Sequence, residues 1–351
     1  MYAKVFFQYE VTNMTYIDNI VSNYRDIIEL YLYGEEQGDA IDQCQTFSEE
    51  VIGMDASPEE IVSLHIELLD DMGIDDAALM KKSLDILQEV IISFGFTYRD
   101  YKSMMNRLEI HDKEMDVASS LQETMLKTEI PTFETMELGA ISVPARKVSG
   151  DYFNIIDHKD GMLSFAVADV IGKGIPAAIA MSMIKFGMDS YGYSQLPSDS
   201  LRKLNRVVEK NVNQNMFVTM FYGLYDHNTD LLYYSSAGHE PALIYRYEED
   251  EFEEIDAKGV VLGVKEHARY EQKETKIGPK DMIIVFTDGV TELRKHDDTF
   301  IDFEDVKDMI RQVREYHPQD IVQYIYESLM RIQNPHKKDD LTLFILKNNK
   351  N

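Results

Sequence analysis

The apolar residues change period at Pro131, and that change dictates two differently built regions in one chain. Between Thr15 and about Arg99 they recur at helical spacing, as in Ile17, Ile20, Tyr24, Ile27, Ile28 and Tyr31, with breaks at Gly34, Gly38, Ser57-Pro58 and Gly73 to Asp76. Three or four amphipathic helices are expected, packed as a bundle. Ser57-Pro58-Glu59-Glu60 supplies an N-cap serine, a proline at the first helical position and early acids, a well-formed helix start. Cys44 and His65 are the only soft ligands in this stretch, and a single histidine on an apolar face reads as packed core. From Tyr98 to about Lys127 there is no Gly or Pro, and Met104, Leu108, His111, Met115, Ala118, Gln122 and Met125 step by four and three. With polar members and flexible methionines the seam is weak, suited to a linker helix that forms a homodimer conditionally; a single helix packed on a neighbouring domain fits the same pattern.

After Pro131 short strand-like runs alternate with turns: Leu138 to Val143, Met162 to Val170, Met220 to Tyr225, Leu231 to Ser235, Ala242 to Tyr247, Met282 to Thr287 and Leu341 to Leu346. Helical patterns begin at Pro176, span about Asp199 to Asn213, and run from about Asp305 to Ile332. The expected class is α+β: an N-terminal helical bundle over residues 1–97, a linker helix over 98–129, and a C-terminal β-sandwich flanked by helices over 130–351. Residues 1–13 precede a second methionine, Met14, and are assigned no function.

Charge narrows the partners. The chain of 351 residues has 63 acidic and 35 basic side chains, net −28, and such a field repels nucleic acid. Residues 1–127 hold 26 acids and 9 bases, which suits a basic protein partner. Cys44, the one cysteine, rules out an internal disulfide and leaves no thiol motif for catalysis. No apolar run approaches the roughly 18 residues of a membrane span, and no signal-peptide pattern opens the chain, so a cytoplasmic location and no membrane association are expected.

The residues with chemistry in them are aspartates placed where strand-like runs meet turns. Asp151 lies in Val-Ser-Gly-Asp-Tyr-Phe, Asp169 in Ala-Val-Ala-Asp-Val-Ile-Gly-Lys-Gly, Asp288 in Val-Phe-Thr-Asp-Gly-Val and Asp339 in Lys-Lys-Asp-Asp-Leu-Thr-Leu. One such aspartate is ordinarily a turn residue or a helix cap. Four delivered to a sheet edge repel one another unless a cation neutralises them, and hard oxygen donors without His or Cys select Mg²⁺, Mn²⁺ or Ca²⁺. Lys173, between two glycines ahead of a helix, has the reach to meet a phosphate, as does the basic pair Arg146-Lys147. The Gly-x-x-x-x-Gly-Lys-Ser/Thr spacing of a nucleotide loop is missing, which disfavours a kinase or nucleotidyl enzyme.

In order, Ser-Gly-Asp-Tyr, Ala-Asp-Val-Ile-Gly-Lys-Gly-Ile-Pro-Ala, Asn-Met-Phe-Val-Thr-Met-Phe, Ser-Ala-Gly-His-Glu-Pro, Gly-Val-Val-Leu-Gly, Thr-Asp-Gly-Val-Thr-Glu and Asp-Asp-Leu-Thr-Leu cover about Ile141 to Phe344. The series resembles the bacterial, SpoIIE-type branch of the metal-dependent serine/threonine protein phosphatases, the protein phosphatase 2C class, and in particular its activators of the sigma-B general stress pathway. The resemblance implies two Mn²⁺ or Mg²⁺ ions at one edge of a β-sandwich. Asp169 matches the bridging aspartate and the Val170 carbonyl its backbone neighbour; Asp288 and Asp339 match the remaining carboxylates of one site; Asp151 and Gly150 line the centre, with Asp340 outside it. Two ions so held activate water for in-line attack on a phosphoryl group without a protein nucleophile. His239 is expected either to donate a proton to the leaving oxygen or to brace a turn near the site. The implied substrate is a phosphorylated anti-anti-sigma factor, and the implied activator a kinase-like switch protein that binds the N-terminal domain. The alternative from another class is a catalytically inert phosphatase-like scaffold that docks switch proteins, against which the intact aspartate set counts.

Overall fold

The computed structural model describes residues 14–35, 37–172, 174–190, 196–212 and 216–350. Residues 1–13 and Lys173 lie outside the described residues. The chain forms two compact units that divide between Asp112 and Lys113, inside a single helix. Among the described residues no helix is long and apolar enough to cross a membrane.

The first unit contains α1 (Met14–Tyr33), α2 (Gln37–Gly53), α3 (Pro58–Asp71) and the first part of α4 (Ala77–Leu126). At the start of α3, Glu60 accepts hydrogen bonds from both the backbone N–H (2.7 Å) and the hydroxyl (3.0 Å) of Ser57, closing the helix start expected from Ser57-Pro58. Burial of the periodic apolar faces makes the core, in which Tyr24 stacks on Phe47 with ring centroids 4.5 Å apart. His65 belongs to that core: its Nδ1 lies 2.9 Å from the Tyr24 hydroxyl, and burial lowers its pKa to about 4. Cys44 is buried too, its thiol pushed up to about 11 by burial.

α4 has no Gly or Pro after Gly95 to stop it and runs for 50 residues, about 75 Å at 1.5 Å per residue. The stretch expected as a separate linker helix therefore continues out of the last helix of the bundle. Of the heptad-like positions, Met104, Leu108 and Met125 are exposed, whereas Gln122 is buried.

The second unit is a sandwich of two five-stranded antiparallel sheets. One orders β1 (Met136–Val143), β10 (Leu341–Asn348), β9 (Met282–Phe286), β6 (Ala242–Arg246) and β7 (Glu251–Ile255). The other orders β2 (Asp151–Asp157), β3 (Met162–Ile171), β4 (Phe217–Asp226), β5 (Leu231–Ala237) and β8 (Lys273–Lys276). Alternating side chains of both sheets meet in one apolar core that includes Phe165, Phe221, Ile283, Val285 and Phe344. The outer face of the β2–β8 sheet is covered by α5 (Ile175–Ser190) and α6 (Pro197–Asn211). The outer face of the other sheet is covered by α7 (Asp288–Thr291), α8 (Phe303–Val313) and α9 (Pro318–Ile332).

Three strands escape the alternation rule. β7 and β8, Glu-Phe-Glu-Glu-Ile and Lys-Glu-Thr-Lys, are edge strands whose charges mask the pattern and protect the edge from pairing with other chains. β2 begins on Asp151 itself, so its start reads as a turn. The helical pattern from Asp305 to Ile332 is two helices, because His317 caps a new start at Pro318.

Phe344 stacks on Phe165 at 4.8 Å across the sandwich, and both rings are fully buried. Phe344→Ala is expected to cost about 3–5 kcal/mol in urea unfolding of the second unit, whereas Met125→Ala, at an exposed position, stays within about 0.5 kcal/mol.

Candidate metal centre

The edge at which the two sheets release their chains toward α7 and α5 collects the aspartates. β2 and β3 pair so that Asp151 lies directly opposite Asp169. On the other sheet β9 ends at Phe286, Thr287 caps α7, and Asp288 is the first residue of that short helix. Asp339 and Asp340 immediately precede β10, the neighbour of β9. Antiparallel pairing within each sheet, and stacking of one on the other, thus bring together residues far apart in the chain.

Hydrogen bonds lock the edge. The buried hydroxyl of Thr287 donates to Asp151 Oδ2 at 2.6 Å and accepts from the backbone N–H of Thr342 at 2.9 Å, so one side chain joins β2 of one sheet to β9 and β10 of the other. Asp340 accepts from the N–H groups of Ala145 (2.7 Å) and Gly150 (2.6 Å), pinning both ends of the loop that leads into Asp151. Asp340 itself is approached so closely that a Cβ on Gly289 would stand 1.8 Å from its carbonyl oxygen, which demands glycine after Asp288. Gly150 leaves open a space bordered by three oxygens: a Cβ there would lie 3.2 Å from the Val170 carbonyl, 3.3 Å from Asp169 Oδ1 and 3.5 Å from the Gly172 carbonyl.

The electrostatics are those of crowded acids. Burial, and then the carboxylate of Asp169, push Asp151 well above the usual carboxylate range, while hydrogen bonds from Thr287 and Thr342 act the other way. Burial and then Asp288 raise Asp169 to about 6, with Asp340 and Asp339 adding to the shift and a hydrogen bond with Asp151 offsetting part of it. Asp288 is raised by burial, then by Asp339, Glu292 and Glu240. Among the described residues no cationic side chain is one of these leading influences. Among the described residues no three acidic, His or Cys side chains already close on a common point. Buried, mutually repelling carboxylates and carbonyl oxygens around an open space are nevertheless a donor set that fits hard divalent cations such as Mg²⁺ and Mn²⁺.

Asp151, Asp169, Val170, Asp288 and Asp339 therefore share one edge, with Asp340 behind them. His239 is close by but fully enclosed, its Nδ1 2.9 Å from the Thr219 hydroxyl and its Nε2 3.1 Å from the Phe286 carbonyl oxygen; burial lowers its pKa to about 4. Lys173 lies outside the described residues. Of the basic pair, Lys147 is bound to Asp116 on α4 at 2.7 Å, and Arg146 is exposed. The motif reading missed Thr287, Glu240 and Glu292, although each stands inside or beside a quoted motif. It also missed Gln122, whose side chain accepts from the Ser149 N–H (3.0 Å) and donates to the Ser149 carbonyl oxygen (2.7 Å), two residues from Asp151.

A raised carboxyl pKa has a defined consequence for the metal-free protein. The stability associated with a protonated Asp169 is present below about pH 4 and is lost as pH rises through about 6. Asp169→Asn removes the charge while keeping the shape. In EDTA the variant and the parent should unfold alike near pH 4, and the variant should be more stable at pH 7 by about 1–3 kcal/mol. If Asp169 holds a metal ion, saturating Mn²⁺ should reverse the order. Equal stability at pH 7 in EDTA would contradict the crowding.

Comparison with known proteins places the whole chain. A family model of stage II sporulation protein E (SpoIIE) matches residues 159–349, and a model of the N-terminal domain of phosphoserine phosphatase RsbU matches residues 22–97. Phosphoserine phosphatase RsbU of Bacillus subtilis (strain 168) is 38% identical over 335 residues, spanning 95% of this chain and 99% of the relative. The fold matches the SiaA-PP2C domain of Pseudomonas aeruginosa with a TM-score of 0.60 at 18% identity, over 69% of this chain and 98% of that one. It also matches the PP2C phosphatase domain of Bacillus subtilis SpoIIE, solved with a fragment of its regulatory domain, with a TM-score of 0.52 at 18% identity over 62% of each chain. With a relative this similar along nearly its full length, and the acid-rich edge of a two-sheet sandwich, the chain belongs to the RsbU group of the SpoIIE-type serine/threonine protein phosphatases, a metal-dependent family.

Proposed function

We propose that this chain removes phosphate from a phosphoserine of an anti-anti-sigma factor, that a kinase-like switch protein binding residues 1–97 activates it, and that it thereby promotes a sigma-B-type general stress response. The observation that carries the chemical part is the meeting of Asp151, Asp169, Asp288 and the Val170 carbonyl at one edge, with the carboxyls raised by burial and mutual repulsion. Asp169, Asp151, the Val170 carbonyl, Asp288 and Asp339 would hold the metal. When bound, Mn²⁺ or Mg²⁺ supplies Lewis acidity toward water and the phosphoryl oxygens and a counter-charge for the departing alkoxide.

The chain's own residues prepare that chemistry. Thr287 occupies one oxygen of Asp151 and so orients the other. Asp340 keeps the loop before Asp151 in place through two backbone bonds. Burial of Asp151 excludes water from the rear of the edge, where a field acts with least screening. Arg146, exposed on the pinned loop, is the member of the basic pair available to an incoming phosphate, since Lys147 is held by Asp116. A catalytic thiol is not needed, which agrees with Cys44 being buried in the helical unit.

Control is proposed to pass through residues 98–129, between a partner-binding domain of residues 1–97 and a phosphatase domain of residues 130–351. The last turns of α4 hold the loop before Asp151 through Asp116–Lys147 and the paired Gln122–Ser149 hydrogen bonds, and Leu126 packs against the cluster beneath α5 and α6. A change in α4, whether by docking or by homodimer formation along the Met104–Met125 seam, would reach Asp151 first by this route and Asp169 through α5 and α6.

Three measurements test the reading. Phosphate release from a phosphoserine protein should require Mn²⁺ or Mg²⁺ and fall by about 10²-fold or more in Asp288→Asn; release without added metal, or unaffected by the substitution, would end the assignment. Gln122→Leu should change the ratio of activator-stimulated to basal release by about fivefold or more, corresponding to about 1 kcal/mol of coupling. A chain starting at Ile130 that matched the activated full-length protein would rule out control through α4.

A further inference from the structure

We propose that His239 is a positioning residue, a buried strut between the two sheets that sets the separation of the strand ends bearing Asp169 and Asp288 and so governs how tightly the edge binds metal. The inference rests on the metal centre proposed above and goes beyond it.

The geometry starts at Gly238, whose φ of +66° turns the chain at the end of β5; a Cβ there would meet Val261 at 2.7 Å. The turn sends the following side chain inward, and the His239 N–H is fastened to the Ser236 hydroxyl at 3.1 Å. The ring then lies between the sheets. Phe286 presents a carbonyl oxygen, which only accepts, so the Nε2 facing it at 3.1 Å carries the proton. In the neutral ring Nδ1 is then an acceptor, and the Thr219 hydroxyl at 2.9 Å donates to it. Both ring nitrogens are thereby committed to the protein, which leaves neither for a substrate oxygen.

The two anchor points give the strut its meaning. Thr219 on β4 lies directly opposite Asp169 on β3. Phe286 is the last residue of β9, two positions before Asp288. A chain of two hydrogen bonds through one rigid ring therefore connects β9, which leads into Asp288, with β4, the hydrogen-bonded neighbour of the strand that presents Asp169. The Thr287–Asp151 bond is a second polar link between the same sheets. Other polar links between the sheets lie away from the aspartates, where Arg246 on β6 donates to the Lys276 carbonyl oxygen (2.8 Å) and the Thr275 hydroxyl (3.3 Å) on β8; the core between is apolar, and apolar packing fixes a separation less sharply than directed hydrogen bonds do. A strut that keeps mutually repelling carboxylates at a set spacing prepares them for a cation and limits their retreat from one another.

The test compares His239→Gln, His239→Leu and Thr219→Val in the full-length chain. Gln carries a donor and an acceptor and can replace both hydrogen bonds; Leu fills the space and replaces neither. Direct Mn²⁺ binding is measured by calorimetry without substrate, together with melting in EDTA and phosphate release across Mn²⁺ concentrations. His239→Leu should bind Mn²⁺ about tenfold more weakly or worse, with kcat restored to within about threefold at saturating Mn²⁺, and His239→Gln should recover most of the affinity. Unchanged Mn²⁺ affinity in His239→Leu would overturn the proposal, as would lost kcat at saturating Mn²⁺ with affinity intact, the signature of a proton donor. If His239→Leu does not fold, Thr219→Val decides: weaker Mn²⁺ binding supports the strut and unchanged binding refutes it. Absence of metal-dependent phosphate release from the parent would instead defeat the proposed activity and leave the binding comparison standing.

Discussion

Repulsion among crowded, partly buried carboxylates governs the design of the second unit. An ionised carboxylate taken out of water is costly, and several brought within reach of one another are costlier. The chain nevertheless drives Asp151, Asp169 and Asp288 into one partly enclosed edge, and much of the surrounding structure resists their separation. Thr287 ties Asp151 to the opposing sheet, Asp340 pins the loop before it, and Gly289 permits an approach that no side chain would allow. The large inter-sheet core supplies the stability against which this strain is held.

The same edge is where the sandwich meets the end of α4. Asp116 and Gln122 do not touch the aspartates, yet both act on the loop that Asp340 restrains. The loop is gripped from both sides: Gln122 holds the Ser149 peptide, and Asp151 lies two residues further on. The control proposed above needs no long wire of side chains, because the contact with α4 and Asp151 share one short segment. That Gln122 falls on a heptad-like position of α4 and is buried against the domain means that one helix face cannot serve both contacts along its whole length. Met104 and Leu108 remain exposed and Gln122 does not.

Several features of fold and site can be read directly from residues. The change of period at Pro131 separates helices from strands because side-chain direction repeats every 3.6 residues in one and every two in the other. The Ser57-Pro58 start of α3 and most strands of the sandwich follow from the same local rules. β7 and β8 do not, since edge strands with charged faces have no alternation to read, and α8 and α9 merge into one pattern unless His317-Pro318 is recognised as a new cap. At the site, aspartates ending apolar runs are visible as a motif series, while Thr287 stands beside Asp288 with nothing in its identity to separate it from an ordinary N-cap.

The amino-acid sequence by itself determined the two-part architecture, the acid-rich composition, and the set of strand-end aspartates in the order of the SpoIIE-type phosphatases. These rest on local periodicity, composition and turn chemistry. Only the tertiary structure decided that Thr287 reaches Asp151 across 136 positions, that Asp340 holds Ala145 across 195, that Gln122 clamps Ser149, and that the His239 ring lies enclosed between Thr219 and Phe286. Those contacts depend on strand register and on how two sheets stack. Both are set by the packing of the whole core, and no local stretch of residues encodes them.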